Sequence, residues 1–118
     1  MPDRRSTGRR GEDLAARWIE ARGWRVIDRN WRCAAGEIDL VALDGRQLVI
    51  VEVKTRTWTG CGHPAEAVTD AKLHRLRRLA AHWLAAHDER PAGVRVDVIA
   101  VLLPPGGPAR IELLAGER

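Results

Sequence analysis

The chain has 118 residues, 45% of them hydrophobic, with a net charge of +4 and a pI of about 10.0; this fits one domain, 1–118, built around one core, and favours a polyanionic partner. No apolar run approaches the roughly 18 residues of a membrane span, and the basic start Met1-Pro-Asp-Arg-Arg-Ser6 has no apolar stretch behind it, so no membrane association is expected and the cytoplasm is the expected location. Cys33 and Cys61 stand 28 positions apart without the close spacing of zinc ligands, and a reducing cytosol disfavours a disulfide between them.

About six residues at the start read as loose. A helix is predicted from Ser6 or Thr7 to Arg22, stopped by Gly23. Leu14, Ala15, Trp18 and Ile19 form its apolar arc, with Asp13, Arg17 and Glu20 opposite and Glu12 at the border. Trp24 to Arg29 reads as a short strand, followed by a loop from Arg32 to Gly36. The segments Glu37–Leu43 and Gln47–Thr55 are rich in Val, Ile and Leu and are separated by Asp44-Gly45, a strong hairpin signal. The second of them is apolar on both faces, as a covered central strand is. A loop covers Arg56 to Pro64. A second helix starts at Ala65 or Thr69 and runs to His87, burying Leu73, Leu76, Ala80, Trp83 and Leu84. Val94–Leu103 is a further strand, ended by Pro104-Pro105, and Arg110–Leu114 makes an edge strand. The predicted class is α/β, an α-β-β-β-α-β mixed sheet flanked by helices.

Hairpin parity brings together the residues that carry chemistry. A two-residue turn at Asp44-Gly45 sets position 39 opposite position 50; a four-residue loop sets it opposite 52. Either way Asp39, Glu52 and Lys54 share one sheet face. Two carboxylates on neighbouring strands can both reach a hard cation of the Mg²⁺ type. A covered strand seldom carries an acid such as Glu52 without a partner. The bland reading of Glu52-Val-Lys54 is a same-face ion pair. The basic residues sharpen the choice: of 20, only Lys54 and Lys72 are lysine, so arginine serves wherever a positive stem is enough.

Four blocks carry a resemblance: Gly11-Glu12-Asp-Leu-Ala, Asn30-Trp-Arg32, Gly36-Glu-Ile-Asp-Leu-Val-Ala42 and Val51-Glu-Val-Lys-Thr-Arg56. They resemble the YraN-type bacterial family, regarded as related to archaeal Holliday-junction resolvases within the PD-(D/E)xK nuclease superfamily. The likeness runs from about Gly8 to Val101, with weaker matches at Gly62-His-Pro64, Lys72 and Arg95-Val-Asp97. It implies a restriction-endonuclease-like core and an endonuclease acting on DNA, branched or single-stranded, in repair or recombination. It implies Mg²⁺ or Mn²⁺ held by Asp39, Glu52 and the Val53 carbonyl, with Glu12 completing the shell. Lys54 would then orient or activate the attacking water, or stabilise charge on the scissile phosphate. Resolution of a branched substrate needs two active sites, which makes a homodimer the expected assembly. The alternative is a non-catalytic nucleic-acid-binding module that keeps the fold. RNA is not separated from DNA by sequence. The framework Phe and Tyr of the family are absent here, where the chain has five Trp.

Nucleic-acid contacts are expected from Arg56, Lys72, Arg75 and Trp58, the last by stacking on a base; a solvated helix face and a loop anchor are the plain readings of the last three. Glu37 shares the parity of Asp39, which could set it near the metal, but it reads first as a strand-end polar group. Trp18, Trp24 and Trp83 are assigned to the core. Asp97 is expected to pair with an arginine or cap a loop, and the three histidines of the second helix make no metal site.

Overall fold

In the computed structural model, which describes residues 4–57 and 68–117, the chain forms helix α1 (Arg4–Ala21) and strands β1 (Arg25–Cys33), β2 (Gly36–Asp44) and β3 (Gln47–Arg56). Helix α2 (Asp70–Ala86) and strands β4 (Gly93–Leu102) and β5 (Arg110–Glu117) follow. One sheet has the order β1-β2-β3-β4-β5. Only β3 and β4 run parallel, because the crossover through α2 returns the chain to the end of the sheet from which β3 started. The expected mixed α/β order is therefore observed. Among the described residues, no helix is long and apolar enough to cross a membrane.

Both faces of the central strands are covered. Ala15, Ala16 and Ile19 of α1 pack on Leu40, Ala42, Val49, Val51, Ile99 and Val101. On the other face Leu76, Leu79, Ala80 and Trp83 of α2 pack on Ile38, Val41, Leu48, Ile50, Val96 and Val98. Burying one such side chain stabilises by roughly 1.5–3 kcal/mol. Trp83 is almost fully buried, and its indole N–H donates to Asp28 Oδ2 at 2.8 Å, so the burial leaves no polar group stranded. Trp18 and Trp24 are half-buried at the rim, each beneath a guanidinium, that of Arg22 and that of Arg95 respectively. Asp97 is buried against Arg95 at 3.1 Å, as expected, and Arg95 reaches on to Asp44 and Gln47.

Several boundaries differ from the sequence reading. Helix α1 starts at Arg4 and takes in residues read as loose. The segment from Arg32 to Gly36 is not a loop: β1 continues to Cys33 and turns at once into β2. Within it Asn30 adopts φ 52°, a left-handed conformation that asparagine tolerates, and the register shift of the ladder lies earlier, between Val26 and Asp28. The β2–β3 turn is Gly45-Arg46, one residue later than Asp44-Gly45, because Asp44 pairs with Gln47. Gly45, at φ +59°, supplies the positive φ the turn needs. Thr69 caps α2 by accepting from the Lys72 amide at 3.1 Å, and Leu79 replaces Leu73 and Leu84 among its fully buried residues.

Helix α1 lies unusually close to β3 at Gly11. A Cβ there would stand 2.9 Å from both Cβ and Cγ2 of Thr55 and closer still to its hydroxyl. Gly11→Ala should therefore cost about 1–3 kcal/mol despite the better helix propensity of alanine. Urea unfolding of the variant, alone and combined with Thr55→Ser, checks this; a variant as stable as the parent would contradict the contact.

Candidate active site at a fork in the sheet

The β2–β3 ladder runs from Asp44–Gln47 to Leu40–Val51 and stops there. Beyond it β2 stays paired with β1 as far as Gly36, while β3 stays paired with β4 as far as Arg56. The sheet thus forks, and one step past the last pair Asp39 is level with Glu52. In the fork the Asp39 carboxylate takes the place of a strand carbonyl, accepting the Val53 amide through Oδ2 at 2.8 Å. On an extended strand a residue's N–H and C=O point the same way, so the Val53 carbonyl opens on the same fork.

Parity alone misplaces Asp39. Ile38 packs with the α2-side cluster, yet Leu40 packs with the α1-side cluster. Two residues that should share a face lie on opposite ones, and Asp39 sits at the break in phase, opposite Asn30. Its carboxylate therefore belongs to neither face. Glu52 and Lys54 do continue the α2-facing set of Leu48 and Ile50, and they meet α2 there. Glu52 Oε2 lies 2.9 Å from Lys72 Nζ, and Oε1 lies 3.3 Å from Arg75 Nη2. The expectation of one shared face is thus corrected to a fork entered from both faces.

Charge around Asp39 is uniformly hostile to its ionisation. Burial raises its carboxyl from the ordinary 3.8 to about 6, the Val53 amide holds it down in part, and Glu12, Glu52 and Glu37 each push it up. Glu12 reaches this group from α1. Burial raises its carboxyl too, against a hydrogen bond from Asn30 and the positive charge of Arg29. Lys54 is lowered, first by burial and then by the neighbouring Lys72. Both lysines of the chain therefore come together at Glu52, which the sequence could not show.

The remaining candidates divide. Lys72 is not on a solvated helix face: its side chain is 17% exposed, against 49% for Arg75. Arg56 is exposed at the end of β3. Glu37 is a surface ion-pair partner of Arg32 at 3.3 Å. Trp58, Cys61, Gly62, His63 and Pro64 lie outside the described residues. Sequence reasoning gave Asn30 no role, although an asparagine inside a strand pattern is the signal for a left-handed kink.

Among the described residues, no three His, Cys, Asp or Glu side chains converge closely enough to hold a metal ion. The reason is visible at Glu52, whose carboxylate is drawn to the cations of α2. The donor set itself fits Mg²⁺ or Mn²⁺: carboxylates and a peptide carbonyl are hard oxygens. One of them, Glu52 Oε2, is buried and receives no hydrogen bond among the described residues, with the Lys72 ammonium 2.9 Å away as its ion-pair partner.

Comparison with known proteins places residues 11–101 within the model of the uncharacterised protein family UPF0102. The chain is 60% identical over 109 residues to a UPF0102 protein of Beutenbergia cavernae, covering 92% of each. It is 58% identical to a UPF0102 protein of an Arthrobacter species, again over 92% of each. A UPF0102 protein of Frankia alni is 54% identical over 92% of this chain and 91% of its own. The chain belongs to the UPF0102 family, the YraN type that its motifs resemble.

A carboxyl raised on folding keeps its proton longer in the native state. Its stabilising contribution is complete below pH 3.8 and is lost as pH rises through about 6. Asp39→Asn keeps an oxygen for the Val53 amide and removes the charge. In metal-free buffer it should gain about 1–3 kcal/mol at pH 7.5 and lose the decline in stability between pH 4 and 7. Urea melts across that range check both, and parallel pH profiles for parent and variant would contradict the assignment.

Proposed function

We propose that this UPF0102 protein is a divalent-metal-dependent endonuclease with a restriction-endonuclease-like core, acting on DNA. The observation that carries the reading is the fork itself. Asp39 and Glu52 stand level just past the point where the β2–β3 ladder stops, Glu12 and Glu52 are near enough to raise the Asp39 carboxyl, and both lysines of the chain stand beside Glu52. A purely structural strand has no need of a carboxyl that burial and three other acids oppose.

Asp39, Glu52, the Val53 carbonyl and Glu12 would hold the cation. When bound, the cation supplies a water of lowered pKa and neutralises charge on the phosphate. The chain's own residues do the rest. Lys54 stands two positions beyond Glu52 on the same face, where it places a point charge against a phosphate oxygen or takes a proton. The Val53 amide fixes the orientation of Asp39. Arg56 at the strand end, with Arg75 on α2, offers exposed guanidinium groups to the phosphate backbone.

A second reading, a nucleic-acid-binding module without catalysis, is favoured by the internal neutralisation of Glu52 by Lys72 and Arg75. Cleavage assays separate the two. The purified protein should cut linear, flapped or four-way DNA with Mg²⁺ or Mn²⁺ at low salt, with an RNA of matched sequence as the comparison arm. Asp39→Asn and Lys54→Ala should reduce the rate at least about a hundredfold while circular dichroism stays unchanged. Binding without cleavage of any of these substrates by the parent protein establishes the second reading instead. Under either reading the affinity should fall steeply with salt; an affinity equal at 50 and 200 mM, roughly the range over which phosphate contacts are lost, would contradict both.

A further inference from the structure

We infer that Lys72 and Arg75 form a phosphate-receiving pair that Glu52 keeps occupied until a divalent cation replaces them, so that cation and phosphate bind this site cooperatively. The inference rests on the metal-dependent reading above and adds to it a coupling between the two ligands.

Each oxygen of Glu52 has its own cation: Arg75 Nη2 at 3.3 Å from Oε1 and Lys72 Nζ at 2.9 Å from Oε2. The carboxylate is only 16% exposed, so it needs positive charge beside it in every state of the protein. The Lys72 contact, however, is incomplete. Oε2 is buried and accepts no hydrogen bond among the described residues, although an ammonium group is within reach. A buried oxygen left in that condition gains most from a direct bond to a cation.

Lys72 is no better served. It lies against Lys54, a like charge. Among the described residues Glu52 is the acid paired with both Lys72 and Arg75, so its turning to a divalent cation removes that shared partner from two positive groups in the first turns of α2. A phosphodiester suits what is then exposed, an ammonium point charge next to a planar fork of donors. The exchange needs no movement of α2, whose first turn is fixed separately by the Thr69 cap on the Lys72 amide. The same linkage runs backwards: phosphate drawn to Lys72 and Arg75 frees Glu52 for the cation, and the two effects are equal by necessity.

Calorimetric titration with Ca²⁺, a hard cation for the same oxygens, tests this with and without a short single-stranded oligodeoxynucleotide. Without DNA, Arg75→Gln and Lys72→Gln should each bind Ca²⁺ about two- to tenfold more tightly than the parent, because a competitor is gone. Arg78→Gln, on the same helix but away from Glu52, should stay within about twofold. In the parent, DNA should tighten Ca²⁺ binding at least about fivefold, and this enhancement should shrink in both Glu52-partner variants. Arg75 is half exposed, so its variant remains informative if Lys72→Gln does not fold. A parent that binds no Ca²⁺ removes the metal-dependent reading and this inference with it. A parent that binds Ca²⁺ while Arg75→Gln matches its affinity and its enhancement overturns this inference alone, leaving the ion pairs as pins for α2.

Discussion

Where β2 and β3 part company, the Val53 amide loses its strand partner and takes the Asp39 carboxylate instead. That substitution governs the rest of the molecule's polar architecture. A buried backbone N–H must be satisfied, and satisfying it with a side chain fixes Asp39 in the sheet plane rather than on a face. The fork then cannot close, because the ladder position that would close it is filled by a carboxylate. The phase break between Ile38 and Leu40 and the left-handed Asn30 opposite are the backbone's accommodation to the same event.

Charge is distributed around this constraint in two layers. Inside the fork, acids crowd Asp39 and oppose its ionisation. On the α2 side, lysine and arginine gather on Glu52. Neither layer is comfortable by itself. Arg29 and Arg32 serve Glu12 and Glu37 from the rim while Asp39 is opposed by three acids, and the two α2 cations share one carboxylate. Arrangements of this kind store free energy that a ligand of matching charge can release, which is why the site stands out from the Arg95–Asp97 pair. That pair is more deeply buried but bonded through both carboxylate oxygens and backed by Asp44 and Gln47, and it leaves nothing for a ligand to improve.

Much of the fold was legible in the sequence because its signals are local. Gly23 and Thr69 mark helix ends, and the doubly apolar Leu48–Val53 run marks a covered strand. The candidate site was legible in identity but not in geometry. Asp39, Glu52 and Lys54 were found by hairpin parity, yet the turn lies one residue later than Asp44-Gly45 suggests and Asp39 escapes the alternation altogether. Period-two reasoning assumes an unbroken alternation of faces, and the change of face between Ile38 and Leu40 defeats it. Lys72 was harder still. Its helix face looks solvated on a wheel, and only the packing of α2 over β3 turns it inward. Its rarity was the one clue, since a chain that otherwise uses arginine kept a lysine there.

That rarity has a practical consequence. Apart from a terminal amine, every primary amine in the protein stands beside Glu52. Reagents that modify amines and spare guanidinium groups, such as reductive methylation with labelled formaldehyde, will therefore address this one locality. Arginine, which supplies 18 of the 20 basic side chains, remains silent to them. The protein thus carries a built-in, chemically addressable reporter of its own acidic fork, with no engineered label required.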